Sequence, residues 1–109
     1  MANTFKLKTK ANVGVTTVGI YTAPAATTTV VIGITLANTS GSGVNVGVGV
    51  TRAGTTEDVK LLKNAPIPSG SSLEFMAGNK VVLEATDTVT VDSDTNNSVD
   101  AALTIMELT

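Results

Sequence analysis

The stretch "GVNVGVGVTR", residues 43–52, alternates valine with small or polar residues along its whole length. One side of an extended chain would carry Val44, Val46, Val48 and Val50, and the other would carry Asn45, Gly47, Gly49 and Thr51. This period of two predicts a β-strand with one buried face. Glycine inside a strand usually marks a bulge or the close approach of another backbone. The small-residue face is therefore either a contact face for a neighbouring chain or simply solvated.

The same period continues on both sides of this strand. In "TVVIGITLA", residues 29–37, we expect Val30, Ile32, Ile34 and Leu36 to share one face, and in the closing strand we expect Val99, Ala101, Leu103 and Ile105 to do so. A change of phase at residues 16–17 predicts a bulge or a corner between two sheets. "NAPIPSGSS", residues 64–72, reads as a rigid proline-containing loop.

The N-terminal segment "NTFKLKTK" alternates Phe5 and Leu7 with lysines. Residues 1–11 are therefore predicted to form an extended arm or an edge strand. About eight short strands, separated by turn signals every 8–12 residues, are typical of an antiparallel β-sandwich. The predicted fold is all-β, jelly-roll or immunoglobulin-like, with residues 1–109 forming a single domain.

The composition argues against most enzyme classes. The 109 residues include no cysteine and no histidine, so disulfides, thiolate metal sites and the usual general base are all excluded. A serine–lysine arrangement remains formally open. We expect a protein that is not an enzyme and binds no cofactor.

No motif assigns a catalytic, cofactor-binding or metal-binding residue. Asp92, Asp94 and Asn96 have the spacing that begins a calcium loop, but Leu103 stands where the bidentate glutamate belongs, so we interpret the segment as a polar turn. The glycine-rich stretches lack the phosphate-loop lysine. The carboxylates Glu57, Asp58, Glu74, Glu84 and Asp87 show no spacing that singles out a catalytic pair.

Charge is distributed unevenly along the chain. Residues 1–56 carry four cations and no acid, whereas residues 57–109 carry nine acids and three lysines. A basic segment could meet an acidic surface on a neighbouring subunit. Four cations without interleaved aromatics are too few for a nucleic-acid groove. No signal-peptide pattern or apolar run of membrane-spanning length is present, so we expect a soluble chain made in the cytoplasm, with no nucleic-acid or membrane partner.

Only three aromatic residues are available to fill a core, which predicts a thin sandwich that gains stability by burying further surface against a partner. The candidate interface comprises two sets of residues, Phe5 and Leu7 on the N-terminal arm and Asn45, Gly47, Gly49 and Thr51 on the glycine-rich strand. On this hypothesis, glutamine at Gly47 and Gly49 disturbs assembly more than folding.

Three segments resemble small virion structural proteins of tailed bacteriophages. They are "YTAPAATTTVVIGITLANTSGSGVNVGVGVTR" (residues 21–52), "LLKNAPIPSGSSLEFMAGNKVVLEATDTVTVDSD" (residues 61–94) and the ending "NSVDAALTIMEL". The shared pattern is one of turns and strands and includes no diagnostic active site. Thr86 departs from it, because glycine is common at that turn position.

The resemblance implies a non-enzymatic virion subunit, with capsid decoration (cement) as the favoured role. Its expected partners are other copies of itself, with a trimer as the natural guess, and the major capsid protein. Assembly would take place in the cytoplasm of the bacterial host. The alternatives are a neck, tail or fibre component, and a carbohydrate-binding or adhesive β-sandwich. For the last of these Tyr21 would be the aromatic available for stacking on a sugar.

Overall fold

The computed structural model describes residues 3–53, 57–75 and 80–109, with the side chain of Phe75 excepted. In these residues nine strands form and no helix does. The strands are β1 (Asn3–Val13), β2 (Val18–Thr22), β3 (Thr28–Asn38), β4 (Val44–Thr51), β5 (Asp58–Ile67), β6 (Ser72–Phe75), β7 (Val81–Leu83), β8 (Thr88–Ser93) and β9 (Val99–Leu108).

Two antiparallel sheets pack face to face. Sheet A has the order β1-β9-β3-β6, with β7 also pairing with β3, and sheet B has the order β2-β8-β4-β5. If β6 and β7 are counted as one strand, the paired strands are first with eighth, second with seventh, third with sixth and fourth with fifth. This nested pairing is that of a jelly roll. The predicted all-β sandwich is confirmed, and the topology selects the jelly roll over the immunoglobulin-like alternative.

The core lies between the sheets and is built mainly from β-branched residues. All four valines of β4 are buried, as the alternation predicts, and so are Val99, Ala101, Leu103 and Ile105 on β9. Tyr21 is the aromatic residue of the described core, so aliphatic side chains contribute most of its apolar burial. The phase change near residue 16 is the corner at which the chain leaves sheet A and enters sheet B.

Two details of the predicted strands are wrong. The register of β3 against β9 shifts between Val31 and Gly33, so Val31 turns inward with Ile34, while Val30 and Ile32 become partly exposed. Such a bulge inserts one residue, so the side chains on its two sides no longer follow one strict alternation between the faces of the sheet. The predicted proline loop also begins too early, because β5 continues to Ile67. Pro66 is accommodated there because β5 is an edge strand.

The turn before β8 places Thr86 in the left-handed region, with a φ of 68°. A β-branched residue is strained there, because its Cβ crowds the backbone. The neighbouring Asp87 fixes the turn by accepting hydrogen bonds from the backbone amides of Glu84 and Ala53, each at 3.0 Å.

Replacing Thr86 with glycine is expected to stabilise the fold. Relief of the left-handed strain should exceed the entropy that glycine adds to the unfolded chain, for a net gain of about 0.5–1 kcal/mol. Chemical denaturation measures it. The matched control is Ala85→Gly, an exposed neighbour without a positive φ, which should lose stability. Equal losses in both variants would contradict the explanation.

Candidate functional site

The outer face of sheet A is a candidate interface in the described part of the chain. We call it the A face. Strand register groups its residues into five rows: Asn3, Leu108 and Thr28; Phe5, Met106, Val30 and Val82; Leu7, Thr104 and Gly33; Thr9, Ala102, Thr35 and Glu74; and Asp100, Ala37 and Ser72. Glu74 and Asp100 are the only charged residues at these positions. Apolar and small side chains therefore face outward.

Strand β1 displays its apolar side to the outside. Phe5 and Leu7 are 68% and 65% exposed. The alternating Lys6 and Lys8 lie on the inward side of the strand, where Lys6 pairs with the buried Glu107 at 2.9 Å and the Lys8 ammonium lies 6.0 Å from the centre of the Tyr21 ring. Inward-pointing charged side chains are one of the ways in which natural proteins keep an edge strand from pairing with another chain.

A polar network between the sheets accounts for the inward lysines. The Tyr21 hydroxyl donates to Glu107 Oε2 at 2.6 Å and lies 2.8 Å from Thr29 Oγ1, which therefore acts as its donor. Burial, followed by the hydrogen bond to the Glu107 carboxylate, raises the pKa of Tyr21 to about 12. The hydrogen bonds from Tyr21 and Lys6 lower the pKa of Glu107. Lys6 thus completes a network that holds β1 in this orientation.

The hydroxyl of Tyr21, the single tyrosine of the chain, is expected to titrate near pH 12 while the protein is folded. Because this pKa lies above the unfolded value of about 10, the corresponding stability is present below pH 10 and lost as the pH rises through 12. Tyrosinate absorbance follows this group alone, since the chain has no tryptophan. In Glu107→Gln the midpoint should fall towards 10. A wild-type midpoint near 10 with the fold intact would refute the network.

The outer face of sheet B, which we call the B face, carries the four small or polar residues of β4. Gly47 and Gly49 are nevertheless buried within their own chain. A Cβ at Gly47 would lie 2.6 Å from Asp92 Oδ1 and 3.3 Å from the Leu62 carbonyl oxygen. A Cβ at Gly49 would lie 3.0 Å from the carbonyl oxygen of Val59. The flanking strands therefore already cover these glycines, and a side chain at either position would be crowded by its neighbours.

A side chain at Gly49 is expected to destabilise the isolated monomer. Gly49→Ala should cost about 1–3 kcal/mol, because its Cβ presses on the backbone of β5. Gly43→Ala is the matched control, since its Cβ would meet only the Ile67 carbonyl oxygen at an ordinary 3.7 Å. Urea denaturation compares the two variants.

If Gly49→Ala were as stable as Gly43→Ala, the close approach of β5 would be wrong. The same geometry means that glutamine at Gly47 and Gly49 tests folding as much as assembly, so it does not isolate an interface.

The two predicted interface sets lie on opposite sides of the sandwich. Phe5 and Leu7 belong to the A face, whereas Asn45, Gly47, Gly49 and Thr51 belong to the B face. The structure does not bring them together into one site. The outward residues of β9, above all Ala102 and Met106, were not predicted to line a face. The available signal was that "VDAALTIMEL" also carries Ala102, Met106 and Leu108 on the side opposite its core residues, so its outward side is partly apolar.

The side chains of the polar turn after β8 serve the backbone and nearby strands. Asp92 accepts from the Thr17 hydroxyl at 2.9 Å, and Asp94 accepts from the Asn45 amide at 3.1 Å. Asn96 accepts from the Val15 amide at 3.5 Å. The side-chain oxygens thus have separate partners, and within the described residues no group of three histidine, cysteine, aspartate or glutamate side chains could hold a metal ion.

Among the five carboxylates considered above for acid–base chemistry, the structure brings Glu84 and Asp87 together around Arg52. The guanidinium lies 3.1 Å from buried Asp87 and 3.3 Å from exposed Glu84. Burial raises the pKa of Asp87, but hydrogen bonds from the Ala53 and Glu84 amides and the charge of Arg52 outweigh it, so the net pKa is lowered. These contacts tie the chain entering β8 to the end of β4, which is a structural role.

Solved structures with the same fold come from assemblies. A chain of the Bacillus endospore appendages, described as a novel family of disulfide-linked pili, is 17% identical, with a TM-score of 0.57 over 99% of this chain and 87% of that one. A chain of the T13 IBDV viral particle is 14% identical with a TM-score of 0.60, and one from infectious bursal disease virus strain Gx is 12% identical with a TM-score of 0.55. Both matches include 96% of this chain, but they span only 30% and 36% of the two viral chains.

At these identities the likeness shows a shared fold and nothing beyond it. No protein-family model and no curated protein matches the sequence. Among the described residues, no helix is long and apolar enough to cross a membrane.

Proposed function

We propose that this chain is a non-enzymatic structural subunit that assembles in many copies, and that it decorates the capsid of a tailed-phage virion. The observation that carries the proposal is the A face, whose two edges hold Phe5, Leu7 and Val82 at exposures of 58% or more. An exposed apolar patch of this kind marks an interaction surface. Its proposed partners are further copies of the chain and the major capsid protein.

The comparisons support a structural role through the fold alone, because the similar chains form pili and viral particles. The phage-specific part rests on the resemblance of residues 21–52, 61–94 and 97–108. The position of Tyr21 weakens the carbohydrate-binding or adhesive alternative, because Tyr21 is the aromatic residue that would have to stack on a sugar. Tyr21 is only 7% exposed and its hydroxyl is engaged by Glu107 and Thr29.

A filament subunit is the second candidate. It is favoured by the pilus chain, whose length this chain matches almost entirely, whereas it spans about a third of each viral chain. The two roles differ in symmetry. A decoration protein forms a closed oligomer of constant mass, whereas a filament subunit adds copies without limit.

The mass of the purified protein in solution is expected to exceed the 11.0 kDa of one chain. Light scattering after size exclusion, across a dilution series, would give a constant mass for a closed oligomer and a concentration-dependent one for a filament. The double variant Phe5→Ser with Leu7→Ser should revert to monomer with little loss of stability, because both side chains are exposed in the isolated chain.

Val15→Ser is the matched control, since Val15 is 56% exposed and lies outside the A face. It should keep the wild-type mass. A wild-type protein that stays at 11.0 kDa throughout the dilution series would contradict self-assembly. If Val15→Ser changed the mass as much as the double variant does, the A face would have no specific role in self-assembly.

A further inference from the structure

We propose that the A face packs against the A face of a second copy of this chain, with the two copies related by a two-fold axis that lies between the two faces and runs along the row of Leu7, Thr104 and Gly33. This inference rests on the proposed multi-copy role and specifies the contact through which copies meet. It stands on the charge, the size and the shape of the face.

Charge distinguishes the two outer faces of the sandwich. On the B face, Asp92 lies 4.0 Å from Lys60 and accepts from Thr17, and Asp58 accepts from Thr51. These groups are solvated and partly paired. On the A face the two acids lie in the last two rows, and the three rows from Asn3 to Gly33 carry no charge. Charge in a contact between two such faces is therefore confined to Glu74 on the edge strand β6 and to Asp100 in the last row. The proposed axis sets these two acids opposite Val82 and Leu108 of the second copy, at the rim of the contact, so the desolvation of charge is limited to that rim.

The size of the A face suits a stable contact. Three or four strand positions about 4.8 Å apart and five rows about 6.8 Å apart make it roughly 14–19 Å by 34 Å. That area is of the same order as the roughly 800 Å² that each partner contributes to a standard protein interface. A second copy offers an equal area with the same composition.

The shape of the A face complements itself about its middle row. The row of Phe5, Met106, Val30 and Val82 is built from large side chains, whereas the row of Thr9, Ala102, Thr35 and Glu74 is built mostly from small ones. Between them lies the row of Leu7, Thr104 and Gly33. The small-residue side holds a shallow depression of about 320 Å³, lined in part by Ala102 and Thr35.

A two-fold axis along the middle row brings these unequal rows together. Phe5 then faces Thr9 of the second copy, Met106 faces its Ala102, and Val30 faces its Thr35. Large side chains enter the depression of the partner, and Thr104 meets its own counterpart on the axis. Alternation of large and small residues across facing layers is how two sheets interdigitate at a separation of about 10 Å.

The absence of cysteine from the chain allows a direct test by cross-linking. Single variants Thr104→Cys, Thr9→Cys and Asn45→Cys place one thiol on the axis, one away from it on the same face, and one on the B face. All three positions are exposed strand residues. A sheet separation of about 10 Å exceeds the reach of a disulfide, so a short bismaleimide is the appropriate reagent.

Thr104→Cys is expected to give several times more covalent dimer than either control at equal concentration. In Thr9→Cys the thiols of the two copies would be offset by roughly 14 Å along the strands. Circular dichroism confirms that each variant is folded. Preferential cross-linking of Asn45→Cys would place the contact on the B face, and preferential cross-linking of Thr9→Cys would move the axis; either result would overturn the inference.

The mass of the wild-type protein, measured in parallel, separates this inference from the function on which it rests. An oligomer whose Thr104→Cys variant cross-links no better than the two controls refutes the A-face contact and leaves the assembly role standing. A monomer at every concentration refutes the A-face contact and the self-assembly on which it rests, and leaves only the proposed contact with the major capsid protein.

Discussion

The pairing of β9 with both β1 and β3 is the contact on which the rest of sheet A depends. Strand β9 runs antiparallel to each neighbour over most of its length, from Val99 to Leu108. Its inward side chains close the core, and its outward side chains form the middle of the A face. Because side chains alternate strictly along a strand, fixing the inward set of β9 also fixes what the protein presents to its surroundings.

The polar network at Glu107 extends this constraint to the edge strand. Glu107 takes an inward position on β9, where an unpaired carboxylate would be costly. Tyr21 and Lys6 satisfy it from either side. An inward Lys6 requires its neighbours Phe5 and Leu7 to point outward. The exposure of these two large apolar side chains is thus a consequence of pairing the buried Glu107 carboxylate with Lys6.

The sequence predicts those parts of the fold that depend on local alternation. The valines of β4 and the inward residues of β9 follow from the period of two alone. The bulge at Ile32 did not follow from it, because nothing within "TVVIGITLA" distinguishes a strict alternation from one that skips a residue. That shift depends on pairing with β9, which is distant in sequence. The course of β5 through Pro66 was missed for a related reason, since only the sheet order shows that β5 lies at an edge.

The sequence also predicts only part of the candidate site. The alternation of Phe5 with lysine indicates an apolar side, but the sequence does not say which side faces the core. The glycines of β4 show the opposite limit. Their small size suggests room for a neighbouring chain, but the structure shows that β5 and β8 of the same sheet occupy this space.

A mostly aliphatic core between two sheets leaves a small protein with little apolar surface buried per residue. The B face offers little to add, because its glycines are already covered and its charged groups are engaged at the surface. The A face offers an uncharged stretch in which apolar side chains remain in water. Burying these side chains against a second copy would extend the core beyond the single chain, since β1, β9 and β3 would then be covered on both sides. In this way the arrangement that stabilises the fold at Glu107 also exposes the apolar surface that we propose as the contact between copies of the chain.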